Sequence, residues 1–120
     1  MASRWYNRAE RYRGLSRDMV DRGLYNEACF FAHQAVEFYI KGKLIELTGS
    51  RPYTHSIAAL LEQLLGILQR RPNGEVVKCA KLLTEQYVSS RYPDARMLDY
   101  DRDDAEECLR CMELVLSNVV

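Results

Sequence analysis

Between Tyr25 and His55, apolar residues recur at Ala28, Phe31, Ala35, Phe38, Gly42 and Ile45, a 3-4-3-4-3 spacing that lines up one seam of a helix. Ala32, Val36, Tyr39, Ile40, Leu44 and Leu47 widen that seam over most of the cylinder. A helix so coated belongs in the middle of a bundle, with the Phe31/Phe38 ridge as the hub that other helices surround. His33, Gln34, Glu37, Lys41 and Lys43 interrupt the coat, and any function written on this helix is written there.

The same periodicity predicts four further helices. The first runs from about Ser3 to Asp21, with Trp5, Ala9, Tyr12, Ser16 and Met19 inward and Arg4, Arg8 and Arg11 on an outer stripe. Gly23 ends it, and the short Gly23-Leu24 turn sends the central helix, about Asn26 to Leu47, back antiparallel. Gly49 closes that helix, Pro52 forbids its continuation, and Thr54 is the expected N-cap of a third. Ile57, Leu60, Leu61, Leu64, Leu65 and Leu68 stripe this third helix. A polar break at Arg70–Gly74 precedes a fourth, about Glu75 to Ser90, facing inward through Val76, Val77, Ala80, Leu83, Tyr87 and Val88. The segment Arg91-Tyr92-Pro93-Asp94-Ala95-Arg96 is too short for an element and too specific for a filler loop. Asp101 to Asp104 then open a last helix, which buries Ala105, Cys108, Leu109, Met112, Leu116 and Val119. No window alternates as a strand does. The expectation is an all-α, antiparallel up-and-down four-helix bundle with an additional short helix, five helices in a single domain over residues 1–120.

Composition changes this picture little. A zero formal net charge gives no reason to expect a nucleic-acid binder, but the charge is unevenly spread. Residues 1–23 hold six arginines against Glu10, Asp18 and Asp21, while residues 94–113 hold eight carboxylates against Arg96, Arg102 and Arg110. Ends of opposite sign attract each other, within the chain or across a dimer. No apolar run approaches the roughly 20 residues that cross a bilayer, and MASRWYNRAERYR lacks the apolar centre of a signal peptide, so a cytoplasmic chain is expected. Arginine outnumbers lysine 13 to 4, which is compatible with a thermophilic source.

Four cysteines invite a metal, with Cys108-Leu-Arg-Cys111 on one helix and Cys29 and His33 a turn apart on another. Both pairs fall inside predicted helices, not knuckle turns, and Cys29 and Cys108 occupy apolar positions, the ordinary place of a free cysteine. No metal site and no cofactor is therefore expected. A disulfide is disfavoured in a cytoplasmic mesophile and less so in a hyperthermophile. Of the two histidines, His33 reads as a packed polar residue, and His55 as a residue pinning the turn into the third helix. No nucleophilic triad and no phosphate-cradling glycine loop is present. The ends of alternate helices meet in an antiparallel bundle, so Lys41, His55, Arg91 and Tyr92 are the candidates for one pocket. A guanidinium, an ammonium, an imidazole and a tyrosine face there suit a phosphate with a stacked base. The competing structural reading has Arg91 bonding helix C-terminal carbonyls and Tyr92 plugging the base of the bundle.

Three motifs carry a family resemblance. Ala28, Phe30, Ala32, Gln34, Ala35, Glu37 and Lys41 form A-x-F-x-A-x-Q-A-x-E-x-x-x-K, Thr54-His55-Ser56 opens a leucine-rich helix, and Tyr87, Arg91, Tyr92, Pro93 and Asp94 form Y-x-x-x-R-Y-P-D. In order and spacing they resemble the HEPN domain, the higher eukaryote and prokaryote nucleotide-binding family, over about residues 5–118. The resemblance implies an up-and-down helical bundle, often dimeric. It also implies a minimal nucleotidyltransferase as partner in toxin–antitoxin-like pairs. Many such proteins are metal-independent RNases, marked by an arginine and then, after four to six residues, a histidine near the last helix. This chain has no histidine beyond His55, so that signature is absent and no catalytic residue is carried over. The expected function is a homodimeric module that binds a nucleotide or a nucleotidyltransferase through Lys41, His55, Arg91 and Tyr92. The alternatives are an RNase toxin pairing Arg91 with His55 in space, and a purely structural dimeric subunit.

Overall fold

The computed structural model describes all residues, 1–120. It consists of five α-helices and no strand: α1 (Ala2–Asp21), α2 (Tyr25–Thr48), α3 (Ile57–Leu68), α4 (Gly74–Ser89) and α5 (Arg102–Val119), with a single 3-10 turn at Pro93–Ala95. The expected all-α bundle is present, and no helix is long and apolar enough to cross a membrane. Gly23 and Gly49 follow α1 and α2 with φ of 74° and 84°, left-handed conformations that glycine adopts without a Cβ penalty. Asn73 caps α4, and Asp101 with Asp104 forms a reciprocal capping box at α5. At α3 the expectation needs correction. Ser56 is the N-cap, its hydroxyl accepting from the Ala59 amide, while the Thr54 hydroxyl accepts from the amide of Ser56 itself.

α2 packs against all four other helices, as its apolar coat requires. Its inner residues Cys29, Ala32, Ala35, Val36, Ile40 and Leu44 join Ile57, Leu60, Leu64, Leu83, Met112 and Val115 in one core. Each large aliphatic chain buried there contributes about 1.5–3 kcal/mol. Phe31 and Phe38 are not the hub. They are half-buried toward α1, where Phe38 meets Trp5 at 5.0 Å and Tyr12 at 5.3 Å, and Phe31 stacks on Tyr12 at 5.7 Å. Small residues let the two helices approach. A Cβ on Gly42 would lie 2.8 Å from a ring carbon of Tyr6 and 3.1 Å from the Trp5 Cβ. Gly42→Val should therefore push α1 outward and cost about 1–3 kcal/mol in urea unfolding, whereas an unchanged midpoint would mean α1 has room to spare.

The cysteines also depart from expectation. Cys29 is bonded to Cys108 and Cys79 to Cys111, with Cα separations of 5.3 and 4.9 Å, so none is free to hold a metal. α5 lies against both α2 and α4, and two cysteines one turn apart on it reach different neighbours. The attraction between oppositely charged ends is partly spent within the chain. Glu113 of α5 receives Arg17 at 2.7 Å and Arg13 at 2.5 Å. The Arg13 hydrogen bond, with the charge of both guanidiniums, holds the Glu113 carboxyl below the usual range against the opposing pull of burial.

Candidate functional site

On the other side of α2 a polar ladder climbs out of the core. His33, Glu37 and Lys41 stand one turn apart on the same face of the helix, and all three are buried. Lys41 Nζ donates to Glu37 Oε2 at 2.8 Å, with both side chains 3% exposed. An ion pair removed from water persists only when its remaining hydrogen-bonding positions are filled. His55 fills one, its Nδ1 lying 3.1 Å from Glu37 Oε1. A ring nitrogen facing a carboxylate carries the proton, so the Nε2 lone pair of His55 is left for the neighbouring space.

Two devices hold His55 in place. The buried His33 donates from Nε2 to the His55 carbonyl at 2.7 Å, fixing the backbone, while Glu37 fixes the ring. The ring also stacks on Tyr87 of α4, with centroids 4.0 Å apart and planes within 8°. Burial pushes His33 below the ordinary histidine range, although its bond to the His55 carbonyl and the nearby Glu37 carboxylate oppose the shift. Its Nδ1 lies 3.1 Å from the side-chain oxygen of Gln34. The consequence for stability has a definite sign. The folded chain keeps His33 neutral while the unfolded chain takes up a proton below about pH 6.5, so acid favours unfolding. Stability should fall as the pH drops through about 6.5, with a slope of up to about 1.4 kcal/mol per unit, and His33→Gln should flatten that part of the curve.

A cavity of about 340 Å³ opens beside His55. Arg91 lines it from the end of α4, its guanidinium 4.6 Å from the Tyr87 centroid and 6.0 Å from that of Phe30. Arg51 lines it from the loop before α3, its guanidinium 4.9 Å from Trp5 and 4.5 Å from Tyr53. Neither arginine pairs with a carboxylate. Cations on aromatic faces are weakly held and remain open to an anion.

Of the four residues the sequence singles out, three line this cavity: Lys41, His55 and Arg91. Lys41 is committed to Glu37, so it braces the carboxylate that orients His55. Tyr92 turns away, to an adjoining cavity of about 390 Å³ that also holds Asn26, Arg96 and Tyr100. Arg91 lines both. Arg51, Tyr87 and Trp5 line the cavity as well, though the sequence does not select them for it, and so does Glu37, one of the polar residues that interrupt the coat of α2. The spacing of His33, Glu37 and Lys41 is a usable signal, but the reach of Arg51 over Trp5 depends on a loop conformation that no periodicity encodes.

A family model described as the HEPN domain matches residues 2–120. Among solved structures, TT1696 from Thermus thermophilus is 32% identical with a TM-score of 0.85, over 98% of this chain and 94% of that one. ST0689, described as an archaeal HEPN homologue, is 32% identical with a TM-score of 0.76, over 99% and 94% respectively. No curated protein gives a significant match. The motif on α2, the one leading into α3 and the one running off the end of α4 all contribute residues to the His55 cavity, and the chain belongs to the HEPN domain family.

Proposed function

We propose that the chain is a nucleotide-binding HEPN module whose site is the cavity beside His55. The observation that carries this reading is the pairing, within one cavity, of two unpaired guanidiniums on aromatic rings with an imidazole braced by a buried carboxylate. Arg51 and Arg91 take the phosphates as planar forks, the Nε2 lone pair of His55 accepts from a ligand hydroxyl, and the base lies against the Trp5 and Phe38 rings. A cytoplasmic setting, a nucleotidyltransferase partner and a place in a toxin–antitoxin-like pair accompany this reading, since such a partner handles the same ligand. Differential scanning fluorimetry with adenine and guanine nucleotides tests it. Saturable stabilisation of the native chain, weakened at least tenfold in apparent affinity by Arg91→Ala, is the expected result. No stabilisation by any nucleotide, or equal stabilisation of the variant, removes the reading.

One observation favours a second reading, metal-independent RNA cleavage: His55 and Arg91 converge on the same Tyr87 ring. Acid–base cleavage needs an imidazole near the scissile phosphate, with a cation to stabilise the developing charge. Cleavage of single-stranded RNA that disappears in His55→Ala and in Arg91→Ala would support it, and intact RNA at excess protein would end it.

A further inference from the structure

We infer that the cavity between α3 and α4 is a second ligand site, and that its ligand is a free single-tailed carboxylate. The tail lies inside, and the head lies at a mouth that carries Arg70 and Lys81. This site is independent of any nucleotide, since it shares no residue with the cavity beside His55. The first observation is its shape. Its volume of about 370 Å³ falls among small-molecule sites, which run from roughly 300 to 1,000 Å³. α3 and α4 are tied at both ends, and the cavity lies between the ties. At one end the Thr84 hydroxyl accepts from the Ala58 amide at 3.0 Å and donates to the Ala80 carbonyl at 2.7 Å. At the other the chain passes through Pro72 from one helix to the next. Buried Leu61, Leu65 and Ala80, with half-buried Val77, form the floor and walls.

The second observation is Gly66. It sits in the last turn of α3 with no positive φ to require it, and a Cβ added there would meet nothing within 4 Å. Glycine is a poorer helix residue than alanine, because it loses more chain entropy and leaves backbone bare. The packing of the fold therefore gains nothing from it. Gly66 does line the cavity, and it leaves the tail the room that a side chain would take.

The third observation is charge. Arg70 and Lys81 are exposed, and neither pairs with a carboxylate. Arg70 reaches only the Asn118 carbonyl, at 3.3 Å. Glu62 is the sole carboxylate among the lining residues, and it is unpaired too, so the mouth keeps a net positive charge. An apolar cavity with a cationic mouth complements a hydrocarbon tail that ends in an anion. The two parts act differently. Burial of the tail supplies the affinity, while exposed charges contribute little and select the head. A helical peptide would need anchoring pockets over several turns, and a single cavity of this size offers one.

Isothermal titration calorimetry of the chain with decanoate, at neutral pH and below its micelle-forming concentration, tests the site. The native chain should bind it saturably, and at least about fivefold more tightly than decanol, which has the same tail and a neutral head. Arg70→Gln with Lys81→Gln should erase that preference and still bind decanol. Gly66→Leu fills the cavity from α3 while improving its helix propensity, and it should weaken decanoate at least about tenfold. Gly66→Ala restores the helix without filling the space, so it should bind as the native chain does and unfold at higher urea. Far-ultraviolet circular dichroism confirms that the variants fold. Vesicles of phosphatidylcholine and phosphatidylglycerol separate a free ligand from a membrane surface, and the native chain should not sediment with them. Decanoate that does not bind overturns the inference, as does a Gly66→Leu variant that binds like the native chain. Decanol bound as tightly as decanoate overturns it too. So does sedimentation with vesicles that Gly66→Leu abolishes, which would assign the cavity to a membrane lipid. Nucleotide stabilisation should be unchanged in Gly66→Leu, so the two sites stand or fall separately.

Discussion

Breaking the Cys29–Cys108 disulfide should lower stability by roughly 4 kcal/mol. The bond closes 79 residues of sequence, so its main action is on the unfolded ensemble, which loses the freedom of most of the chain. Cys79–Cys111 closes only 32, but loop entropy grows with the logarithm of length, and its loss should still cost roughly 3.5 kcal/mol. For a domain of this size each kcal/mol moves Tm by roughly 3–6 °C, so Cys29→Ala with Cys108→Ala should melt about 12–24 °C lower than the native chain. Calorimetry of the oxidised chain, the reduced chain and each double variant gives the comparison. Reduced and oxidised forms melting together would show that the four thiols are unpaired in solution. Both bonds end on α5, so reduction should release that helix first, visible as faster amide exchange over residues 102–119 than over α2.

Lys41→Met should cost about 3–5 kcal/mol, although it replaces a polar side chain by an apolar one of similar length. The penalty arises from what is left behind, a Glu37 carboxylate almost wholly out of water with only His55 to meet it. Glu37→Met strands Lys41 in the same way. The double variant removes both charges, so it should recover most of the loss, giving a strongly non-additive cycle in urea unfolding. Additive losses would mean that the two groups do not share a buried pair. The variants should differ in what happens to His55. Lys41→Met keeps the Glu37 partner of the imidazole, whereas Glu37→Met leaves it held by the Tyr87 stack and the His33 bond to its backbone alone.

The architecture could be read from the sequence because it rests on periodicity and on punctuation. The coat on α2 is too wide for an edge helix, and Gly23, Gly49 and Pro52 stop the chain where backbone geometry requires. What escaped was rotation. Phe31 and Phe38 look like a central ridge by spacing, but a small turn of α2 about its axis gives the centre to Ala32, Val36 and Ile40 and leaves the phenylalanines for α1. The same indeterminacy hid the disulfides, since which partner each cysteine of α5 meets depends on the relative rotation of three helices. Thr54 and Ser56 are chemically equal candidates for the cap, and only the loop path selects between them. At the site, His55 and Arg91 were legible because helix ends meet in an antiparallel bundle. Tyr92, just ahead of the Pro93–Ala95 turn, lines the next cavity, a placement that no spacing encodes.

The chain has only two histidines, which makes the central claim directly measurable. In a two-dimensional proton–carbon spectrum of the imidazole rings, nucleotide should move the His55 signals along a saturable path, because its exposed nitrogen faces the ligand. The His33 signals, buried beneath, should move far less, and Arg91→Ala should weaken the His55 response at least tenfold. His55 signals that stay still at saturating nucleotide, or that respond equally in the variant, would contradict a site built on His55 and Arg91.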